Sequence, residues 1–148
     1  PETVLTAKLN LARVAIAEGR SASVVNDLRA VSQDADKQGM KYLALVSSVD
    51  LAEALINSKD YAHAKEVLDQ SLNTSEKLGV RLQTALVHYQ LGNLLKQKGD
   101  LSGAAAEYRQ TTSILDEVKK EQGGEHTLDR ADLKVVYAQA RQGAGPKA

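Results

Sequence analysis

The sequence predicts an all-α chain, an α-solenoid built from helix pairs, and three observations carry that prediction. Apolar residues recur at helical spacing along most of the chain, whereas β-branched residues occur singly within those stripes and never alternate over a long run. Gly19, Lys59 and Gly99 lie forty residues apart, and Gly39 and Gly79 repeat that spacing at a second boundary. Each of these positions follows one helical pattern and precedes another, and a repeat of this length made of two helices is the signature of a solenoid.

The clearest unit runs from Leu91 to Tyr108. Leu91, Gly92 and Leu95 share a stripe of one helix, and Leu101, Ala104, Ala105 and Tyr108 share a stripe of the next. Gly99 ends the first helix, because a residue without a β-carbon takes the left-handed backbone of a helix stop at little cost. Asp100 starts the second, its carboxylate placed to accept from the unpaired N–H groups of the first turn. Gly92 and Ala104 are small on facing stripes, which predicts a close approach; Gly92→Leu is expected to overpack it and Gly92→Ala to be mild.

Laid along the chain, this unit places first helices over 2–18, 41–58 and 81–98 and second helices over 21–38, 61–78 and 101–121. Ala12, Ala52 and Gly92 correspond across the first helices, as do Leu11, Leu51 and Leu91. Val24, Ala64 and Ala104 correspond across the second, as do Leu28, Leu68 and Tyr108. A seventh helix over 127–142 follows the loop at 122–126 and aligns if Gly143 corresponds to Gly99. Its Val136 and Gln139 stand where the third unit has Gly92 and Leu95, so it is expected to be a cap that covers the open end with Leu128, Ala131, Val135 and Ala138. Residues 144–148 are expected to be disordered. A single domain over 1–143 therefore holds three units, 2–39, 41–79 and 81–122, and the cap.

Composition narrows the function. The 148 residues carry 19 basic and 19 acidic side chains, so no basic excess is available to neutralise phosphates, and no nucleic-acid partner is expected. No apolar run approaches the ~18 residues of a membrane span and no secretory pattern opens the chain, so no membrane partner is expected either. Cysteine is absent, which excludes disulfides and thiolate metal sites and fits a reducing, cytoplasmic setting. From the opening Pro1-Glu2-Thr3, with Met40 the only methionine, the chain is expected to be a piece of a larger protein.

The residues of the repeat resemble the tetratricopeptide repeat family. The resemblance rests on Leu91-Gly92, Leu95, Gly99-Asp100-Leu101, Ala104 and Tyr108 in the third unit, and on Leu51-Ala52, Leu55, Asp60-Tyr61, Ala64 and Leu68 in the second. The first unit matches at Leu11-Ala12, Ala15, Gly19 and Leu28, with Val24 where the family prefers alanine. Ser71 and Thr111 replace a usual alanine, and the proline that commonly closes the second helix is missing, so the second helices extend by ~1.5 turns and the unit lengthens from 34 to ~40 residues. The resemblance implies a right-handed α-solenoid of three helix pairs plus a C-terminal capping helix. This longer form is similar to repeats of bacterial signalling and regulatory proteins, and the boundary Glu76-Lys77-Leu78-Gly79 belongs to that likeness.

Catalytic chemistry finds no support in the sequence. His63, His88 and His126 are scattered, and none pairs with another at the spacing of a helical zinc site. The register puts His88 at a core edge, where a hydrogen-bonded structural histidine is expected. Gly123-Gly124 lacks the following lysine of a phosphate loop, no serine sits in a nucleophile elbow, and Asp34/Asp36 and Asp116/Glu117 read as solvated faces. No cofactor and no metal are expected, and the chain is read as a non-enzyme.

Recognition of another protein remains. At ~100° per residue, Leu86, Tyr89, Asn93 and Lys96 point away from the core stripe of the third unit, as do Arg13 in the first, Val49 and Glu53 in the second, and Tyr137 in the last helix. In the resembled family such positions look into a concave groove that binds extended peptides or helices. The groove is accordingly expected to hold Arg13, Val49, Asp50, Glu53, Leu86, Tyr89, Asn93, Lys96, Lys134, Tyr137 and Arg141. The expected function is a monomeric, non-catalytic protein–protein interaction module that binds a peptide or helix. The alternative is a sensor domain of a bacterial transcriptional regulator or kinase that binds a signal peptide or small ligand.

Overall fold

The computed structural model of the chain describes residues 2–121 and 131–145. First helices are α1 (Glu2–Ala17), α3 (Lys41–Asn57) and α5 (Arg81–Gln97). Second helices are α2 (Val25–Lys37), preceded by a 3-10 turn over Ser21–Val24, α4 (Tyr61–Leu78) and α6 (Leu101–Lys120), and α7 (Ala131–Ala144) follows. No strand occurs among the described residues. The loop at 122–126, with Gly123, Gly124 and His126, lies outside the described residues, as do Leu128 and residues 146–148. The chain divides into two compact units, 1–74 and 75–148.

Every turn between helices up to α6 uses one device at twenty-residue spacing. Gly19, Gly39, Lys59, Gly79 and Gly99 all take positive φ, between 64° at Lys59 and 86° at Gly99. At each, the residue after the stop donates back to a carbonyl five residues earlier: Arg20 to Ala15 at 2.8 Å, Asp60 to Leu55 at 2.9 Å and Asp100 to Leu95 at 2.9 Å. The stop residue donates to the carbonyl three residues earlier, as Gly99 does to Lys96 at 3.1 Å. The open carbonyls of the last turn are thereby paired, and the chain reverses within three residues. Gly145, with φ 74°, ends α7, so Gly143 lies inside that helix and is not its stop.

Helix starts differ between repeats for a reason visible in the sequence. Asp100 Oδ1 accepts from the Gly103 amide at 2.9 Å, and Asp60 Oδ1 accepts from the His63 amide at 3.4 Å. The first repeat has Arg20 there, which offers no acceptor. Its second helix therefore opens as a 3-10 turn, with Ser23 Oγ donating to the Arg20 carbonyl at 2.7 Å.

In the first unit α1 packs on α2 and α2 on α3, with Leu5, Val31 and Ala35 at the centre and Met40, Leu43 and Ala44 against them. Ser32 Oγ joins α2 to α3 through Ser48 Oγ at 2.7 Å and the Ala44 carbonyl at 3.1 Å. The two hydroxyls that replace a usual alanine fare differently. Thr111 Oγ1 lies 3.2 Å from the Ala85 carbonyl and donates to it across α5 and α6, whereas the buried Ser71 Oγ has no partner among the described residues.

The second unit is organised around Tyr108. Its ring lies between Gly92 of α5 and Gly143 of α7: a β-carbon on Gly92 would sit 2.5 Å from Tyr108 Cε1, and one on Gly143 would clash with Cδ2. Tyr108 Oη donates to Asn93 Oδ1 at 2.6 Å, and the Tyr89 ring lies 6.0 Å away, tilted by 50°. Burial, with a smaller contribution from Tyr89, pushes the Tyr108 hydroxyl up to about 12. The equivalent pairs in the earlier repeats are Ala12 with Leu28 and Ala52 with Leu68, all buried. The third repeat exchanges the alanine methyl for a larger ring.

Several sequence expectations are corrected by this packing. The close approach of Gly92 is to Tyr108, so Gly92→Ala is not mild: Gly143 blocks the opposite edge and the ring has nowhere to move. Leu11 is 71 % exposed although Leu51 and Leu91 are 4 % and 8 % exposed, and Leu101 is also exposed, in the first turn of α6. The stripe that α7 turns to α5 and α6 is Leu133, Val136, Ala140 and Ala144, with Val135 and Ala138 facing out, because the helix is rotated to bring Gly143 onto the Tyr108 ring.

Stability measurements check this account. Lys59→Gly relieves a left-handed lysine and should raise stability by about 0.5–1 kcal/mol in urea denaturation, after allowing for the greater freedom of glycine when unfolded. Gly92→Ala and Gly143→Ala should each lower stability by roughly 1–3 kcal/mol. Tyr108→Leu, which restores the pairing of the earlier repeats, should make Gly92→Ala less damaging, giving a favourable coupling of about 1 kcal/mol in a double-mutant cycle. An additive cycle would place Gly92 away from the ring.

Candidate functional site

The positions expected to form a recognition face fall on α1 and α3 in the first unit and on α5 and α7 in the second. In the first unit Arg13 projects from α1 beside Asp50 of α3, and Arg13 Nε donates to Asp50 Oδ2 at 2.6 Å. Glu53 follows one helical turn later and is half-buried. Burial raises the Asp50 carboxyl above the ordinary carboxylate range against the opposing pull of Arg13. Burial also raises Glu53, the neighbouring Asp50 charge adds to the rise, and Arg13 opposes it. One guanidinium thus serves two crowded acids. It hydrogen-bonds only Asp50, and the Glu53 carboxylate accepts no hydrogen bond among the described residues.

Val49 does not line this face: at 5 % exposure it is a core residue, because a first helix is flanked on more than one side and the turn bearing Val49 is covered. Leu9 of α1 and Ile56 of α3, at the same outward register, are buried in the same way.

In the second unit Tyr89 is likewise buried, at 8 % exposure, beside Tyr108, and its hydroxyl donates to Gln139 Oε1 of α7. Asn93 is half-buried and occupied by the Tyr108 hydroxyl. Tyr137 is half-buried and donates to Asp116 Oδ1 of α6 at 2.8 Å, and this bond, with burial, raises its own ionisation. These three polar side chains hold the tertiary structure of the unit. Leu86 is half-buried, and Lys96, Lys134 and Arg141 are exposed and remain accessible.

The sequence reading missed Gln139 and Asp116 as tertiary partners, since an amide at the register of Leu95 and an acid in a charged run carry no apolar signal. Their signal is chemical: buried tyrosines require an acceptor within reach. His88 is the structural histidine its register indicates, with Nδ1 2.7 Å from Glu107 Oε2 between α5 and α6. Among the described residues no group of histidine, cysteine and carboxylate side chains could hold a metal ion, and no helix is long and apolar enough to cross a membrane.

Residues 85–114, spanning most of α5 and of α6, match the family model of the tetratricopeptide repeat. The chain therefore carries a tetratricopeptide repeat within an all-α array of helix pairs. No curated protein and no solved structure matches the chain. The repeat is in general a protein–protein interaction module and a typically non-catalytic scaffold, and it points to protein partners.

The raised Glu53 carboxyl gives this face a pH signature. A group whose folded pKa lies above its unfolded value favours folding fully below the unfolded pKa, and that contribution is lost as pH rises through the folded pKa. Glu53→Gln should therefore be more stable than the parent at pH 7, and the difference should shrink as pH falls towards the unfolded value of 4.5. Denaturation curves across that range measure it, and a constant difference would show that the carboxyl is unperturbed.

Proposed function

We propose that the chain is a non-catalytic interaction module that binds a peptide or helix on the faces of its first helices, and that its partner brings a positive charge to Glu53. What supports this reading is the Arg13–Asp50–Glu53 group. Two partly desolvated carboxylates share one guanidinium, and the one without a hydrogen bond is the one left to an incoming lysine or arginine. A charge-assisted hydrogen bond there removes the repulsion from Asp50 and satisfies a group that burial has penalised. Large apolar side chains contribute little, since Leu9, Val49, Ile56 and Tyr89 are buried. Accessible polar side chains, with Leu86 in the second unit, are the contacts available to a partner. Such a face favours specificity over raw affinity.

Selection of peptides from a random library on the full chain tests the reading. The enriched peptides should carry a lysine or arginine, and Glu53→Gln should weaken them by about tenfold or more while circular dichroism stays unchanged. Enriched peptides without a basic residue, or binding indifferent to Glu53→Gln, would refute it.

A further inference from the structure

The first unit carries a polar trough lined by α2, α3 and α4, on the side of α3 away from the Arg13 face. Its floor includes Ser48 and Leu51, which lie about 200° round α3 from Asp50 and Glu53. The larger recess, of about 690 Å³, has the size of a small-molecule site, and a second of about 230 Å³ adjoins it and shares Ser32, Gln33, Ser48, Val67 and Gln70. Most charges of the lining are already paired: Lys41 Nζ donates to Asp36 Oδ1 at 2.6 Å, and His63 Nδ1 lies 2.8 Å from Asp60 Oδ2. The His63 contact is the main cause that holds the Asp60 carboxyl below its ordinary value, and Arg29 adds a weaker pull through space. Two charges remain, the half-buried Arg29 of α2 and Glu66 of α4, and neither makes an ion pair or a hydrogen bond among the described residues.

Ser71 supplies a further unpaired group. Its hydroxyl is buried, at 3 % exposure, and has no partner, and the residue lines the smaller recess. Ser47 and Ser58 donate to the carbonyl four residues back, both at 2.8 Å, and Thr111, one repeat on from Ser71, donates across to Ala85. Ser71 does neither, which leaves its hydroxyl to whatever enters the recess.

We propose that this trough binds a free α-amino acid or a dipeptide as its zwitterion, with the carboxylate on Arg29, the ammonium on Glu66 and an uncharged polar side chain reaching Ser71. The unpaired charges select the class. A guanidinium receives a carboxylate on two parallel N–H bonds and a carboxylate receives an ammonium, so one of each in a single recess matches a molecule that carries both signs and an excess of neither. A simple anion would meet Glu66, and a simple cation would meet Arg29. Among the described residues of the lining none is a tyrosine on which a nucleic-acid base could stack. Asn26, Gln33 and Gln70 each offer a donor and an acceptor to the polar groups of such a ligand. The site is separate from the face proposed for peptide recognition and does not depend on it.

Isothermal titration of the full chain with L-glutamine and with glycyl-L-glutamine tests this. At least one should bind saturably, and the same compound with its amino group acetylated and its carboxyl amidated should bind about tenfold or more weakly. Arg29→Gln and Glu66→Gln should each weaken the free ligand by about tenfold or more with circular dichroism unchanged, whereas Glu53→Gln, on the other side of α3, should leave its affinity as it was. The glutamine ligand should be preferred about fivefold over its alanine counterpart, and Ser71→Ala should remove that preference. Absence of saturable binding by both compounds, equal binding of the blocked forms, affinities unmoved by either charge substitution, or a glutamine preference that survives Ser71→Ala would each overturn the proposal.

Discussion

An α-helix ends with carbonyls that have no partner of their own, and this chain resolves that constraint the same way five times. A left-handed residue at 19, 39, 59, 79 and 99 lets the next amide reach back five residues and closes the turn. Fixed spacing of the stops fixes helix length, and fixed length sets which side chains of successive helices meet. The register that pairs Ala12 with Leu28, Ala52 with Leu68 and Gly92 with Tyr108 follows from it. Lys59 shows that the geometry is imposed by the pairing of the turn as a whole, since its own side chain disfavours the conformation it adopts.

Within that frame, size is exchanged between facing positions. A methyl on the first helix goes with a leucine on the second, and its removal at Gly92 admits an aromatic ring. The ring is wide enough to reach α7, where Gly143 receives its other edge. One substitution of small for smaller therefore recruits a further helix to the unit. Hydroxyls of Tyr108, Tyr89 and Tyr137 then require acceptors, which Asn93, Gln139 and Asp116 supply. Asp116, which the sequence marks as part of a charged surface, is held in this network because a half-buried tyrosine needs it.

The same economy shapes the face proposed for recognition. Packing takes the large apolar residues that helical geometry alone points outward, and it leaves charged and polar groups at the surface. Desolvation then acts on those closest to the core. Asp50 and Glu53 are raised by burial more than by any neighbour, and the single arginine beside them compensates only in part. A tetratricopeptide repeat is in general a protein–protein interaction module, and the pairing of Arg13 with Asp50 leaves the Glu53 carboxylate without a hydrogen bond among the described residues.

The sequence by itself determined the helices, their order and their forty-residue register, because stops, caps and apolar spacing are local and each was legible in residues such as Gly99, Asp100 and Leu91. It also determined that His88 is structural. Only the tertiary structure decided which outward positions stay accessible. A helical wheel gives one direction away from the core, whereas a first helix is flanked on several sides, so Val49 and Tyr89 are buried while Leu11, on the expected core stripe, is open. The rotation of α7 was beyond the sequence for the same reason. Gly143 reads as a stop when spacing is the sole guide, and as a packing glycine once the Tyr108 ring is seen to need room that only a residue without a side chain leaves.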